Sequence, residues 1–261
     1  MLYMLYNKGA GELDSCSKIC GRIWKIMRKS PLFRGKCRAT MVERCVCMKD
    51  FPFFTTEYGV ASLVLREIPY KEEAYISIRD VQPGQEKELL QECVSFCRMC
   101  GGEKIYAAGH ECLEEYPLHT AVLEMRGPVR PDPEKTEHLF PVTEATVSQW
   151  RQLYNEKMRS VDCAATQTAF DEKRIIESGG AYFVHHGGEL LGIGWLEENK
   201  LLAVCGGKPG AGERVMHTLM TLVEDEQMIL EVASTNARAI HLYEKLGFLP
   251  TREIKRWYRV L

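Results

Sequence analysis

The C-terminal half of the chain alternates between two hydrophobic periods, one typical of strands and one typical of helices. Apolar runs predict three strands within 181–204, separated by turns at His186-Gly-Gly and Glu198-Asn199, and a further strand at 228–234. Apolar residues at helical spacing predict helices at 145–158, 212–224 and 236–246. A final pair of strands is predicted around REIKRWYRV. Strands that alternate with helices in this way indicate a mixed α/β fold.

The N-terminal half shows a similar alternation. GVASLVLREI and AYISIRDV predict two strands, a Pro-Gly turn leads into a helix that ends at a Gly-Gly pair, and KIYAAG and HTAVLEM predict two more strands. The segment RGPVRPDPEKTEH is rich in proline and charge, which is typical of a linker. We therefore predict one unit at 51–128, a linker at 129–138 and a second unit at 139–261.

Residues 1–50 differ from the rest. The stretch from Lys18 to Arg38 carries basic residues and no acidic one, and its apolar residues fall at helical spacing. This pattern suits an amphipathic arm for RNA or an anionic surface, or a poorly ordered leader upstream of Met41. We adopt the second interpretation.

The overall composition narrows the class of protein. The formal net charge is −2, so we expect neither nucleic acid nor an acidic membrane as the main partner. No apolar run approaches the roughly 20 residues that cross a bilayer, and the first residues lack the features of a secretory signal. We therefore expect a cytoplasmic protein without a membrane span.

Eleven cysteines raise the question of disulfides or metal. Cys93, Cys97 and Cys100 have the CxxxCxxC spacing that holds an iron–sulfur cluster in radical enzymes, and nearby His110 and Cys112 suggest zinc as an alternative. Cluster ligands must converge on one point, whereas these three cysteines lie on the apolar stripe of a predicted helix. We expect reduced thiols that pack in a core, and no metal.

The segment LEVASTNARAIHLYEKLGF, residues 230–248, predicts a strand followed by a capped helix. Asn236 suits an N-cap and Gly247 suits a left-handed stop. The same segment resembles the N-x-x-A-x-x-L-Y-x-x-x-G-F signature of the GCN5-related N-acetyltransferase (GNAT) superfamily, which uses acetyl-CoA. The resemblance covers about 140–261 and implies the GNAT acyl-CoA N-acyltransferase fold.

A glycine-rich loop lies upstream, in AVCGGKPGAGERVM, where the superfamily has its pyrophosphate loop, Gln/Arg-x-x-Gly-x-Gly/Ala. Gly210 and Gly212 match the small positions, at which backbone can approach a phosphate closely. Gly207 stands where the superfamily has Gln or Arg, so either Lys208 supplies the missing charge or coenzyme A binds more weakly. The resemblance implies the following coenzyme A-binding residues: Ala203, Val204, Cys205, Lys208, Pro209, Gly210, Ala211, Gly212, Glu213, Asn236, Ala239 and Tyr243.

Acetyl transfer to an amine needs a neutral nucleophile, a site for an oxyanion and a proton for the departing thiolate. The resemblance implies that a backbone amide near Val204 or Cys205 polarises the thioester and that Tyr243 protonates the sulfur. Glu231 and Tyr243 also resemble the base and acid of the bacterial ribosomal-protein alanine N-acetyltransferases. The alternative bases are Glu197 and Glu198. We expect direct transfer rather than a covalent intermediate on Cys205.

The N-terminal half resembles a degenerate copy of the same unit, because it keeps the order of elements but only Gly84 of the phosphate loop. An unrelated α/β cap is the alternative. We therefore predict a tandem fold with one competent site, acting as a monomer or homodimer. The expected reaction moves the acetyl group of acetyl-CoA to a primary amine on a small molecule or a peptide. The alternatives are a non-catalytic acyl-CoA-binding regulatory protein and an RNA- or surface-associated protein.

Overall fold

The computed structural model describes residues 50–261, so the basic segment predicted within residues 1–50 lies outside the described residues. The described part of the chain contains eleven strands and six α-helices. It divides into a larger compact unit, residues 120–256, and a smaller one, residues 50–119 together with 257–261. No helix in this part of the chain is both long and apolar enough to cross a membrane.

The smaller unit is built on four neighbouring strands, in the order β1 (Phe51–Thr55), β2 (Gly59–Val64), β3 (Glu73–Val81) and β4 (Lys104–Ala108). The first three strands are antiparallel, whereas β3 and β4 are parallel. A parallel pair needs a crossover, which α2 (Glu86–Met99) supplies; the short α1 (Ile68–Lys71) precedes β3. The helix predicted between the two strands is thus confirmed.

The predicted cysteine stripe lies on α2. Cys93 and Cys97 are fully buried in the apolar cluster that α2 forms with the strands, and Cys100 at the end of the helix is half-buried. Burial raises the pKa of the Cys93 thiol to about 12 and raises that of Cys97 as well. These thiols therefore stay protonated at neutral pH and act as apolar packing groups, as predicted. The six cysteines in the described residues are free of disulfides.

The larger unit contains β5 (Leu118–Pro128), β6 (His138–Pro141), β7 (Ala181–His186), β8 (Glu189–Glu197), β9 (Lys200–Gly206) and β10 (Gln227–Ala233), together with most of β11 (Leu249–Arg259). The strand order is β5-β10-β9-β8-β7-β6. Every neighbouring pair in this series is antiparallel except β9 and β10, which are parallel. The predicted mixed α/β class is confirmed.

Helices cover both faces of the larger unit's sheet. One apolar cluster combines α5 (Ala211–Met220) and α6 (Ala237–Lys245) with alternate strand residues such as Leu230. The other cluster combines α3 (Val147–Met158) and α4 (Glu172–Glu177) with the strand residues that point the opposite way, such as Ile193. Successive side chains of a strand point to opposite faces, so the alternation seen in the sequence becomes two separate apolar layers.

Two segments lie in the compact unit that is formed mainly by the other half of the sequence, namely most of β5 and the end of β11. Strand β5 pairs with β10 over seven residue pairs and so belongs mainly to the larger unit. At the other end of the chain, Tyr258 and Arg259 of β11 pair with β4 of the smaller unit. The predicted final pair of strands is wrong, since the structure has one continuous strand, β11, in its place.

The predicted linker, residues 129–138, lies against α5 in the larger unit. Asp132 donates its backbone N–H to Nδ1 of the buried His217, at 3.2 Å, and Glu137 donates its backbone N–H to Oγ1 of Thr218, at 3.0 Å. Both acceptors belong to α5, so this segment is held along the helix that follows the glycine-rich loop.

Candidate active site

The two parallel strands of the larger unit separate soon after they begin to pair. Strand β9 pairs with β10 at Lys200 and Leu201, which lie opposite Ile229 and Leu230, and no further residues of the two strands are partners. Both strands continue, because β9 pairs with β8 up to Gly206 and β10 pairs with β5 up to Ala233. The carboxyl halves of β9 and β10 therefore diverge. We call the space between them the strand opening.

Backbone groups of β9 point into the strand opening. The N–H of Gly207 donates to the carbonyl of Leu191, at 2.7 Å, and antiparallel ladders use every second residue in this way. The backbone N–H and C=O of Cys205 therefore point to β8, whereas the backbone N–H and C=O of Val204 point into the strand opening. Of the two amides proposed to polarise the thioester, this register favours that of Val204. Ala203 has the same parity as Cys205, so its backbone groups also point to β8.

The glycine-rich loop connects β9 to α5. Gly210 has a φ of +84°, a left-handed conformation that glycine adopts without strain, and a side chain there would meet no atom within 4 Å. At Gly212 a Cβ would lie 3.1 Å from the Leu242 side chain, so glycine permits α5 to pack closely on α6. The Ala211 N–H donates to the Lys208 carbonyl at 3.1 Å, so the amides of the first turn that follow it, from Gly212 onward, are those that a helix leaves without intrahelical partners.

Charged side chains surround the start of α5. Glu213 accepts hydrogen bonds from Lys135, at 2.8 Å, and from Lys245, at 2.5 Å. These hydrogen bonds lower the pKa of Glu213 to about 2. Lys208, in the exposed loop beside Pro209, makes a 3.7 Å ion pair with exposed Glu189. Exposed pairs of this kind contribute little, so the Lys208 ammonium is available to an anion.

Tyr243 lies beside the strand opening. Its ring is buried in the apolar cluster that also contains Val204 of β9 and Val232 of β10, and it contacts the Phe248 ring with a centroid separation of 5.9 Å. Burial is the main cause that raises the pKa of the Tyr243 hydroxyl, and nearby Cys205 adds to it. The structure thus brings the predicted acid into the region where β9 and β10 diverge.

The segment before Tyr243 folds as its sequence indicates. The Asn236 side-chain oxygen accepts a hydrogen bond from the Ala239 backbone N–H, at 3.2 Å, which makes Asn236 the N-cap of α6. Gly247 ends the helix with a φ of +85°. Since the Asn236 oxygen is engaged in the cap, the structure assigns this residue a local role in starting the helix that carries Tyr243.

Glu231 directly follows Leu230, the last residue of β10 that pairs with β9. Its side chain points to the face of the sheet opposite α5 and α6, because its neighbours Leu230 and Val232 pack with those helices. Its carboxylate accepts a 2.5 Å hydrogen bond from Lys200 Nζ. Burial acts to raise the pKa of Glu231, hydrogen bonding that includes Lys200 acts to lower it, and the net result is a pKa below the ordinary value. Glu231 is therefore ionised at neutral pH and held at the start of the strand opening.

The alternative candidates have different surroundings. Glu197 is the exposed last residue of β8 and Glu198 is exposed in the turn that follows, so both lie at the end of β9 that is remote from the glycine-rich loop. Burial raises the pKa of Cys205 to about 12, so this residue is a thiol rather than a nucleophilic thiolate at neutral pH. In the described part of the chain, no three His, Cys, Asp or Glu side chains form a group that could hold a metal ion.

Sequence reasoning missed a charged cluster next to Glu231. Glu124 of β5 lies directly opposite Glu231 in the β5–β10 register and is almost fully buried. Its carboxylate accepts hydrogen bonds from Arg126, Thr251 and Arg252. Thr251 and Arg252 lie 127 and 128 residues from Glu124 in sequence, so no local pattern indicates these contacts. For Arg126, two residues from Glu124, the period-2 pattern of β5 indicates only that both side chains share one face of the strand.

Solved structures of other proteins share the fold of most of this chain. A GCN5-related N-acetyltransferase from Anabaena variabilis ATCC 29413 aligns with a TM-score of 0.52 and 9% identity, covering 78% of this chain and 60% of that one. A functionally unknown conserved protein from Staphylococcus epidermidis ATCC 12228 aligns with a TM-score of 0.51 and 9% identity, covering 79% of this chain and 91% of that one. At these identities the likeness concerns the fold. The comparison with curated protein sequences gave no match.

The family assignment follows from the part of the chain that holds the strand opening. Residues 147–248, from the start of α3 to the residue after Gly247, match the family model described as the acetyltransferase (GNAT) family. Acyl transfer is the general chemistry that this family supports. The GNAT fold predicted from the sequence is confirmed, and residues 147–248 form an acetyltransferase (GNAT) family domain.

Proposed function

We propose that this chain transfers the acetyl group of acetyl-CoA to a primary amine by direct attack of the amine. The observation that carries the proposal is the strand opening, with a buried phenol, Tyr243, on one side of the sheet and an ionised carboxylate, Glu231, at its start. One face of the sheet thus offers the Tyr243 hydroxyl as a proton donor, and the other face offers the Glu231 carboxylate, which attracts an amine.

The residues around the opening fit acetyl-CoA, which this family uses. Val204 presents backbone hydrogen-bonding groups to the opening, which suits an extended chain with amide groups. Gly210 leaves open space beside the first amides of α5, which suits a diphosphate. Lys208, Lys135 and Lys245 place positive charge around the same helix start. Gly207 supplies no charge, and its N–H is already bonded to Leu191, so the lysines replace the missing Gln or Arg.

When bound, acetyl-CoA supplies an activated acyl group as a thioester. The Val204 N–H donates a hydrogen bond to the carbonyl oxygen, which stabilises the charge that develops there. Tyr243 is protonated at neutral pH, since a phenol has an ordinary pKa of about 10 and burial raises that pKa further. It donates its proton to the sulfur as the carbon–sulfur bond breaks. The bond that forms joins the amine nitrogen to the acyl carbon.

Glu231 acts on the acceptor. Its ionised carboxylate attracts the ammonium form of the amine and accepts the proton that the amine loses, directly or through water. The low pKa that accompanies the Lys200 hydrogen bond makes it a weak base, so its electrostatic attraction for the ammonium is the larger part of its role. Glu231→Gln is therefore expected to raise KM for the amine more than it lowers kcat.

A thiol-release assay with acetyl-CoA and a panel of primary amines tests the proposal. Calorimetric titration with acetyl-CoA is done in parallel on the full chain. Binding together with amine-dependent thiol release supports acetyl transfer. Binding without thiol release for any small amine or peptide of the panel supports the alternative, a non-catalytic acyl-CoA-binding protein, for which Gly207 is the motivating departure. Absence of acetyl-CoA binding contradicts both.

A further inference from the structure

We propose that Arg126 and Arg252 form a subsite for an anionic group on the acceptor, so that the preferred acceptor is an amine that also carries a carboxylate. This inference rests on the proposed function and specifies its substrate class. It follows from the charged cluster around Glu124, which lies in the larger unit on the same face of β10 as Glu231.

One buried carboxylate holds both guanidinium groups. Glu124 Oε1 accepts a hydrogen bond from Arg126 Nε at 3.0 Å, and Oε2 accepts from Arg252 Nε and Nη2 at 3.0 and 2.7 Å. Thr251 donates its hydroxyl to Oε1 at 3.0 Å. Burial acts to raise the pKa of Glu124, but these hydrogen bonds outweigh it and lower the pKa. The carboxylate is thus ionised and fixes two arginines close to one another.

The arginines are the accessible members of this cluster. The Glu124 side chain is 7% exposed, whereas those of Arg126 and Arg252 are 45% and 67% exposed. A guanidinium has five N–H donors in a rigid fork, and Glu124 uses one from Arg126 and two from Arg252. Within residues 50–261, the other seven N–H donors of the pair make no further hydrogen bond to a side chain or carbonyl. Two guanidinium groups held by a common anchor form a pre-organised site for a carboxylate.

The charges of the whole cluster favour an anion. Among the residues that the structure describes, three cations, Arg126, Arg252 and Lys200, pair with two carboxylates, Glu124 and Glu231, which is an excess of one positive charge. The carboxylates are the more buried members, so an approaching molecule meets the cations first. If Glu231 attracts the ammonium of the acceptor, the arginines then receive its anionic group.

The strand geometry sets the distance between the two subsites. Glu231 and Glu124 are direct partners on adjacent strands, and Arg126 lies opposite Ile229, two residues before Glu231. Neighbouring strands are about 4.8 Å apart, so the guanidinium pair lies roughly 5–10 Å from the strand opening. This spacing suits a short amino acid or dipeptide-sized acceptor, in which a few bonds separate the amine from the carboxylate.

Paired acceptors test the inference. Thiol release is measured with glycine, β-alanine and 4-aminobutyrate and with the corresponding amides, for the wild type, Arg126→Gln and Arg252→Gln. Each variant is compared with the wild type on the same acceptor, which cancels differences in amine basicity. We expect KM for the carboxylated amines to rise about 10- to 100-fold, as the loss of a charged hydrogen bond predicts, with kcat and the KM values for the amides nearly unchanged.

Control variants separate recognition from folding. Arg256→Gln alters an arginine of the same strand whose carboxylate partner is Glu253, and it is expected to leave all KM values unchanged. Arg252→Lys keeps the charge but loses the fork, so KM for the carboxylated amines should still rise several-fold. Unfolding temperatures are measured for every variant, and Arg252→Lys decides the outcome if the glutamine variants do not fold.

The possible outcomes distinguish this inference from the proposed function. Turnover with unchanged KM values in folded arginine variants overturns the anion subsite and leaves acetyl transfer intact. If no acceptor is turned over, acetyl transfer fails, and the subsite is then judged by titrating N-acetylglycine while following the arginine Nε–H resonances by NMR. Shifts that disappear in Arg126→Gln and Arg252→Gln support the subsite, and an absence of shifts overturns it.

Discussion

Replacement of Tyr243 by phenylalanine is the sharpest test of the proposed acid. The substitution removes one hydroxyl and keeps the ring that packs against Phe248 at 5.9 Å between centroids. A general acid contributes about 10²- to 10⁴-fold to a rate. Since a thiol has a pKa near 8.5, its thiolate leaves fairly readily without a proton, so we expect a fall in kcat near the lower limit, about 10²-fold.

The effect on coenzyme binding and stability is expected to be small. The ring lies in an apolar cluster that phenylalanine fills as well as tyrosine does, so we expect the unfolding free energy to change by no more than about 1 kcal/mol, which corresponds to a change in Tm of roughly 2–4 °C for a unit of this size. The Kd for acetyl-CoA, measured by calorimetry, should change less than about twofold because the phosphates bind at the start of α5.

The assay is steady-state thiol release as a function of acetyl-CoA, amine and pH. Tyr243 acts in its protonated form, which persists below its pKa, and burial raises that pKa above the ordinary value of about 10. Protonation of Tyr243 should therefore not limit the wild-type kcat up to pH 10. Tyr154→Phe, which alters another buried tyrosine of the larger unit, is the matched control. Equal kcat values for Tyr243→Phe and the wild type would refute the acid role.

Two further substitutions test how the fold supports the site. Gly127→Ala places a Cβ about 2.3 Å from the fully buried Phe248 ring, so it should lower the unfolding free energy by about 1–3 kcal/mol, as measured by urea titration. Adding Phe248→Leu to this variant relieves the clash and should restore part of the lost free energy. Glu213→Gln should cost about 1 kcal/mol at pH 7, since the partners Lys135 and Lys245 are exposed. The pKa of Glu213 is lowered from 4.5 to about 2, so this difference from the wild type should be present above pH 4.5 and vanish as the pH falls through 2; a constant difference would contradict the assignment.

Local features of the site could be predicted from the sequence because they depend on neighbouring residues. Asn236 caps α6 and Gly247 ends it, as expected from helix chemistry alone. The helix predicted at 212–224 spans Ala211–Met220, and its end was misplaced because no glycine or proline follows it directly. The sequence TLVEDEQ continues in apolar and charged residues, which a helix also tolerates.

Features that depend on long-range pairing could not be predicted in this way. The Glu124 cluster needs β5 to lie beside β10 and β11, and nothing in the local pattern of LHTAVLEM distinguishes a strand of one unit from a strand of the other. For the same reason the final segment was interpreted as two strands, although β11 continues without a turn. The acceptor face is built by such pairings, so its chemistry emerges only in three dimensions.

The strand opening links these two kinds of feature. Beyond Leu201, β9 gives up hydrogen bonds to β10, each worth about 0.5–1.5 kcal/mol, and the packing of α5 and α6 on one face must offset that loss. The same helices begin directly after the two diverging strands, so one presents its first amides and the other presents Tyr243 toward the gap. A shift of either helix would therefore move the diphosphate site and the phenol relative to Val204. On this argument, stabilising substitutions within the α5–α6 contact should alter kcat as well as Tm, whereas those in α2 of the smaller unit should alter Tm alone.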